Sequence, residues 1–209
     1  MANNDTHEGE LFTTMVKVGQ AVPDFEFEVF HGGQIKKMHF SDHKGKWLVI
    51  FFYPADFTFV CPTELEELAK CYPECIKMET EIISVSSDTV FTHKAWHDTS
   101  EAIKKIEFPM AADPAGRLAR AFGVLIESGA FEHIEDEGLA LRGTFLIDPD
   151  GILRAAEIHD NSIGRSAKEL VRKIQAAQFV RKNGGQVCPA EWNPGDDTLK
   201  PGLDLVGKI

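Results

Sequence analysis

The stretch that decides the fold is Trp47-Leu-Val-Ile-Phe-Phe-Tyr53-Pro54, followed after a short loop by Cys61-Pro-Thr-Glu-Leu-Glu-Glu-Leu-Ala-Lys-Cys-Tyr72. The first part is a continuous apolar run rich in aromatic and branched residues. Its length suits a strand buried on both faces, and such a strand belongs to a sheet covered by helices. Pro54 cannot donate to a ladder and stops it. From Cys61 the period changes. Leu65, Leu68, Ala69 and Tyr72 recur at i, i+3, i+4, i+7, with Glu64, Glu66, Glu67 and Lys70 on the other faces of the helix. Pro62 fits the first turn, where a missing N–H costs nothing, and Pro73 is predicted to end or kink the helix.

Downstream, Glu81–Ser86 reads as a second buried strand, and Asp88 as the cap of a helix running to about Ser100. Phe108–Ala112 is a short strand, and Asp113-Pro114 opens a helix that Gly123 ends. Arg142–Asp148, the turn Pro149-Asp-Gly151, and Ile152–Ile158 carry a strong hairpin signal. Ser166 with Glu169 forms a capping box for a long helix with Leu170, Ile174, Ala177 and Phe179 inward, closed by Gly184-Gly185. Strands alternating with helices, then a hairpin and a last helix, predict an α/β fold with a central sheet of mixed direction flanked by helices. A strand running into a cysteine at a helix start is also the layout of thioredoxin-like folds. The predicted organisation is a loose N-terminal arm over 1–17, one domain over 18–183 entered through the extended Val18–Phe25, and an irregular Pro/Gly-rich tail over 184–209.

Composition narrows the function. Within 209 residues, Asp+Glu number 33 against Lys+Arg 22, a net charge of -11. That sign repels nucleic-acid phosphate and anionic lipid, so neither is an expected partner. The longest apolar run is far below the roughly 20 residues a membrane helix needs. The opening MANNDTHEGE has neither the apolar core of a secretory signal nor the arginines of a transit peptide, so a cytoplasmic location is expected. In that reducing compartment the four cysteines Cys61, Cys71, Cys75 and Cys188 are read as catalytic, redox-active, metal-binding or simply buried, not as a static disulfide frame.

Cys61 is the outstanding one. The N–H groups and dipole of a helix N-terminus favour an anion, and a thiolate is such an anion. Thr58, three residues earlier, is in reach of the sulfur or of a bound oxygen atom. A cysteine that merely packs is the competing reading. Cys61-Pro-Thr-Glu64 is not C-x-x-C, so a dithiol within one turn is excluded, and a resolving thiol has to come from elsewhere. Cys71 lies about 15 Å along the same helix, and Cys75 lies beyond it. A disulfide needs Cα atoms within about 7 Å, so neither meets Cys61 while the helix stays folded. Cys188, in the tail, is the better candidate, with an idle thiol as the alternative. Cys71/Cys75 and His93/His97 share a four-residue spacing, but no third ligand stands near either pair, and packed or solvated side chains are expected.

Pro54-Ala-Asp-Phe-Thr58-Phe-Val-Cys61-Pro-Thr-Glu64 resembles the peroxidatic-cysteine signature P-x-x-x-T-x-x-C of the peroxiredoxins. Gly185-Gln-Val-Cys188-Pro-Ala-Glu-Trp192 is similar to the resolving-cysteine segment of their typical two-cysteine subgroup. Asp88–Trp96, Asp136–Leu139, Arg142-Gly-Thr-Phe, Ile163–Ser166 and Leu203–Ile209 extend the likeness over about residues 16–209. It is strongest to the bacterial branch whose members serve as the peroxidase subunit of alkyl hydroperoxide reductases. The resemblance implies a thioredoxin-like thiol peroxidase that uses neither metal nor other cofactor. By matching positions, Cys61 is peroxidatic and Cys188 resolving, Arg142 contacts the sulfur and the peroxide, and Thr58 hydrogen-bonds a peroxide oxygen. Pro54 shields the site from water, while Glu64 and Arg165 support it. On residues alone, the two arginines would be read as partners in surface ion pairs.

The resemblance further implies a Cys61–Cys188 disulfide between subunits, and homodimers assembled into a ring-shaped decamer. It implies a hydroperoxide substrate and a reductase partner, either a flavin-dependent alkyl hydroperoxide reductase subunit or thioredoxin. The start of the 61–72 helix must then unwind easily. Oxidation-sensitive eukaryotic members carry a GGLG-type loop and a C-terminal Tyr-Phe extension. Here Ser100–Phe108 lacks that loop and the chain stops at Ile209, so resistance to overoxidation is expected. Two other functions compete: a disulfide carrier without peroxide chemistry, against which the missing second cysteine argues, and a non-enzymatic holdase.

Overall fold

A computed structural model describes residues 15–129 and 134–208. Most of the arm expected over 1–17 thus lies outside the described residues. The chain divides into two compact units, Met1–Arg165 and Ser166–Ile209.

In the first unit a seven-stranded sheet has the order β2-β1-β5-β4-β3-β6-β7. Its centre is β3 (Trp47–Phe52), buried at every position as its composition requires. β3 pairs in parallel with β4 (Thr80–Ser86), and β4 with β5 (Met110–Ala112). Parallel neighbours need crossovers. These are α1 (Cys61–Lys77), which packs on β4, and α2 (Val90–Thr99), which packs on β1 (Glu26–His31) and β5. β6 (Arg142–Ile147) runs antiparallel to β3, and the hairpin turn returns it as β7 (Leu153–His159). The sheet is therefore of mixed direction, flanked by helices, in a thioredoxin-like arrangement.

The two faces of β3 do different work. Leu48, Ile50 and Phe52 join a core cluster with Phe27, Phe40, Phe122 and Phe145. The Phe52 ring lies 5.4 Å from that of Phe122 and 5.8 Å from that of Phe145, distances typical of favourable aromatic pairs. Phe51 points to the opposite face. The register fixes the position of the site. Phe51 stands opposite Thr144, so Arg142, two residues further along an antiparallel strand, comes level with Tyr53 and the loop that leads to Cys61.

Several local expectations change. Pro73 lies inside α1, which continues to Lys77. Pro73 is exposed, so the carbonyl of Ala69, which loses its i+4 donor to the proline ring, can be solvated. The cap of α2 is Thr89, whose hydroxyl accepts from the N–H of Thr92. Asp88 instead accepts the backbone N–H of Asp56 at 2.7 Å. The helix expected after Asp113-Pro114 shrinks to α3 (Arg117–Ala121), because Gly116 adopts a left-handed φ of 63° at its N-cap. An antiparallel edge hairpin of β1 and β2 (Gln34–His39) has no counterpart in the sequence reading.

The second unit opens with α4 (Ala167–Lys182), where the Ser166 side chain accepts from the N–H of Glu169 as expected. The Glu169 carboxylate pairs with Arg172, so the cap is this half of the expected box. The following segment is irregular but folded on itself. Val187 bridges Leu199, and Trp192 is buried with its ring 4.9 Å from that of Phe179. Among the described residues no helix is long and apolar enough to cross a membrane.

Candidate active site

Cys61 is the first residue of α1 and is fully buried. Its helix is lightly fastened at this end. Val60, the N-cap, offers no side-chain hydrogen bond, and Pro62 follows at once. The sulfur accepts from Arg142 Nη1 at 3.4 Å. The same Nη1 donates to Glu64 Oε2 at 2.7 Å, and Nε and Nη2 of Arg142 both donate to the carbonyl of Asn161, at 2.9 and 2.7 Å. Three nitrogens of one guanidinium are thus engaged, which fixes its plane against the sulfur.

Glu64 is the hinge of the arrangement. One helical turn after Cys61, its carboxylate turns inward, with a side chain only 2% exposed. It accepts from the backbone N–H of Arg165 at 2.7 Å, from Arg165 Nε at 2.9 Å and from Arg165 Nη2 at 3.1 Å. Arg165 also donates to Gly143 O at 2.8 Å and Thr144 Oγ1 at 3.0 Å, and its guanidinium lies 3.5 Å from the centre of the Phe51 ring. Burial pushes the Glu64 carboxyl up, but the hydrogen bonds and charge of Arg165 outweigh it and hold the carboxyl below its ordinary value. Burial likewise pulls the Arg165 guanidinium below its ordinary value, against the attraction of Glu64. Beside Arg142, β6 allows no larger residue at position 143, since a Cβ on Gly143 would lie 2.7 Å from the Phe145 ring and 2.8 Å from Val124.

Charge counting gives the group its chemical sense. Two guanidiniums, 4% and 3% exposed, share one buried carboxylate. One positive charge is left over, and an unpaired charge is costly at such burial. An anion placed against Arg142 would balance it. The same donors would meet negative charge as it spreads from sulfur onto a departing oxygen.

The loop before Cys61 carries the other expected residues. Pro54 is buried where β3 ends. Thr58 is half-buried, and its hydroxyl donates to Ala55 O at 2.9 Å, so toward any other group it acts as an acceptor. Cys188 belongs to the second unit, where its thiol is near Ala176 O at 3.9 Å, and burial raises it above the ordinary thiol value despite Arg172. Cys75 is fully buried, and that burial pushes its thiol up to about 12. Asn161, Thr144 and Phe51 also join the arrangement and are not read as site residues in the sequence. Thr144 and Phe51 lie inside strands, where the sequence shows only strand-forming residues. Asn161 contributes a backbone carbonyl, for which side-chain identity is no signal.

The AhpC/TSA family model matches residues 18–156, and a model of the C-terminal domain of 1-Cys peroxiredoxin matches residues 176–206, the segment that includes Cys188. Alkyl hydroperoxide reductase C of Amphibacillus xylanus is 50% identical over 196 residues, 93% of this chain and 100% of that protein. Its namesake in Staphylococcus aureus is 55% identical over 176 residues, 84% of this chain and 89% of that one. A crystal structure of Enterococcus faecalis AhpC, 45% identical, superposes with a TM-score of 0.77 over 84% of this chain and all of that one. The reduced 2-Cys peroxiredoxin of Plasmodium vivax gives 0.81 at 33% identity over 90% and 94%.

Similarity of this breadth, in sequence and in structure, defines the class as thiol peroxidase. The chain belongs to the AhpC/TSA family, the peroxiredoxins.

Proposed function

We propose that Cys61 is the peroxidatic nucleophile, with hydrogen peroxide and organic hydroperoxides as substrates. The thiolate attacks one peroxide oxygen in line, the O–O bond breaks, and the other oxygen takes a proton and leaves as water or alcohol. Cys61 is left as a sulfenic acid. Arg142, always charged and already donating to the sulfur, meets the charge that develops on the departing oxygen. Thr58, its own proton committed to Ala55, accepts a hydrogen bond from the peroxide O–H and so orients it. Pro54 keeps water off the sulfur. Glu64 and Arg165 hold Arg142 in place.

Cys188 of another subunit then attacks the sulfenic sulfur, forming a disulfide and releasing water. In this reading the segment 184–209 is a tail that delivers Cys188, and the 18–183 body is the peroxidase domain. The subunits work as homodimers in a ring-shaped decamer, in the cytoplasm. A flavin-dependent disulfide reductase subunit or thioredoxin returns the disulfide to thiols.

The observation that carries this reading is the 3.4 Å contact from Arg142 to a sulfur at a helix N-terminus. The test is stopped-flow peroxide consumption followed by non-reducing electrophoresis. The native chain should consume peroxide catalytically and run as a disulfide-linked dimer. Cys188→Ser should react with one equivalent and stop, and Cys61→Ser should not react. Equal activity in both variants would overturn the proposal.

A further inference from the structure

The loop that presents Cys61 contains a strained residue. Phe57 has a φ of 56°, a left-handed backbone conformation that a bulky side chain avoids. Such strain persists only where neighbouring interactions over-determine it, and they do so at the residue before. Asp56 is buried, with its side chain fully enclosed. Its Oδ1 accepts from the Tyr53 hydroxyl at 2.7 Å, its Oδ2 faces His93 Nδ1 at 2.7 Å, and its backbone N–H donates to Asp88 Oδ2 at 2.7 Å. Asp88 in turn accepts from the Ser86 hydroxyl at 2.9 Å. One loop residue is thereby tied to the end of β3, to α2 and to the turn after β4.

The proton inventory of this network is determined. The second ring nitrogen of His93 lies 3.1 Å from Ala111 O, and a carbonyl only accepts, so Nε2 carries a hydrogen. Exactly one further proton then lies between Nδ1 and Oδ2, whether as imidazolium and carboxylate or as imidazole and carboxylic acid. The pair is neutral in total and satisfied on every side, and it loses that balance if either partner is removed. None of these groups hydrogen-bonds to Cys61, whose sulfur accepts from Arg142, and none has a part in the peroxide chemistry set out above.

We propose that Asp56, locked to His93 and Tyr53, is a positioning residue for the peroxidatic loop: it holds Phe57 in its strained conformation and keeps the first turn of α1 wound. The strain makes the loop ready to leave once the lock yields, and the uncapped start of α1 opposes departure only weakly. The lock therefore sets how Cys61 divides its time between a wound state, in which Arg142 is in contact and peroxide reacts, and an unwound state, in which the sulfenic acid can be reached by another thiol. The role assigned to Cys61 rests on the peroxidase reading; the lock itself rests on the geometry alone.

The test compares Asp56→Ala, Asp56→Asn and Tyr53→Phe in the full chain by amide hydrogen exchange and by mass spectrometry of Cys61. An asparagine amide can accept from Tyr53 and donate to a neutral His93, so Asp56→Asn should keep exchange across residues 55–66 within about twofold of the native chain. Asp56→Ala leaves His93 Nδ1 unpartnered and takes from the Tyr53 hydroxyl the acceptor of its proton. It should speed exchange in that segment about tenfold or more, with β3, β4 and β6 unchanged. It should also lower the sulfinic acid formed per turnover, because the unwound sulfenic acid is resolved before a second peroxide arrives. Tyr53→Phe removes one of the bonds on Asp56 and should fall between, and it carries the test if Asp56→Ala does not fold. Exchange unchanged in Tyr53→Phe and Asp56→Ala, or an Asp56→Asn protein as loose as Asp56→Ala, would overturn the proposal. The exchange measurement needs no peroxide, so a native chain that leaves peroxide untouched would count against the peroxidase reading and not against the lock.

Discussion

Arg142 Nη1 donates to two acceptors at once, the sulfur of Cys61 at 3.4 Å and Oε2 of Glu64 at 2.7 Å. The carboxylate holds the guanidinium where the sulfur needs it. Nε and Nη2, both spent on Asn161 O, remove the remaining rotational freedom.

Replacing this fork should therefore be costly even when the charge is kept. Lysine has one nitrogen and cannot span Asn161, Glu64 and Cys61 together. Arg142→Lys is expected to lower kcat/KM for hydrogen peroxide about 10²- to 10³-fold, the loss typical of removing one preorganised donor. Stopped-flow kinetics reads this directly, and a loss below about threefold would mean that Arg142 does not act on the reacting atoms.

Glu64 links the site to stability. Its carboxyl is held below the ordinary value in the folded chain, because Arg165 outweighs burial. A depressed carboxyl contributes stability that is fully present above its unfolded value, about 4.3, and that is lost as pH falls through the folded value. Glu64→Gln should cost about 3–5 kcal/mol at neutral pH, since it leaves two buried guanidiniums without their anion. The gap between native and variant urea midpoints should stay level down to about pH 5 and narrow below it. A gap that widens on acidification would contradict the assignment.

Gly143 is required by space. A methyl there meets the Phe145 ring and Val124 below 3 Å, and its neighbours Arg142 and Thr144 are both engaged in the site. Gly143→Ala should destabilise the fold by about 1–3 kcal/mol and slow the peroxide reaction, as read by thermal unfolding and by kinetics on the same sample. A variant as stable as the native chain would show that β6 can shift at no cost.

Cys75 should be inert. With its thiol pushed up to about 12 by burial, its thiolate fraction at pH 8 is on the order of 10⁻⁴. Iodoacetamide should leave it unmodified in the native chain and label it once urea unfolds the protein. Rapid native labelling, followed by peptide mass spectrometry, would show the site to be open.

Much of the frame was legible. The apolar run at Trp47–Tyr53, the turn residues Pro149-Asp-Gly151 and the cap Ser166 each carry their signal within a few residues, and each lies in the element expected. The β1–β2 hairpin was not legible, because most positions of β2 are exposed and no alternation marks it. Glu64 reads as one of several polar helix residues. Its burial depends on Arg142 and Arg165, which lie 78 and 101 residues away, and no local pattern carries information over that distance. Each arginine alone looked like a surface charge, so only the family likeness singled them out. The strain at Phe57 and the enclosure of His93 by Asp56 likewise arise from the assembled structure.

Peroxide should oxidise one sulfur, that of Cys61. The most direct test treats the Cys188→Ser chain with one equivalent of hydrogen peroxide in the presence of a sulfenic-acid trap, and maps the adduct by peptide mass spectrometry. A single adduct on the Cys61 peptide is expected, with peroxide consumed one for one. Peroxide consumed without that adduct, or an adduct on Cys71 or Cys75 instead, would contradict this.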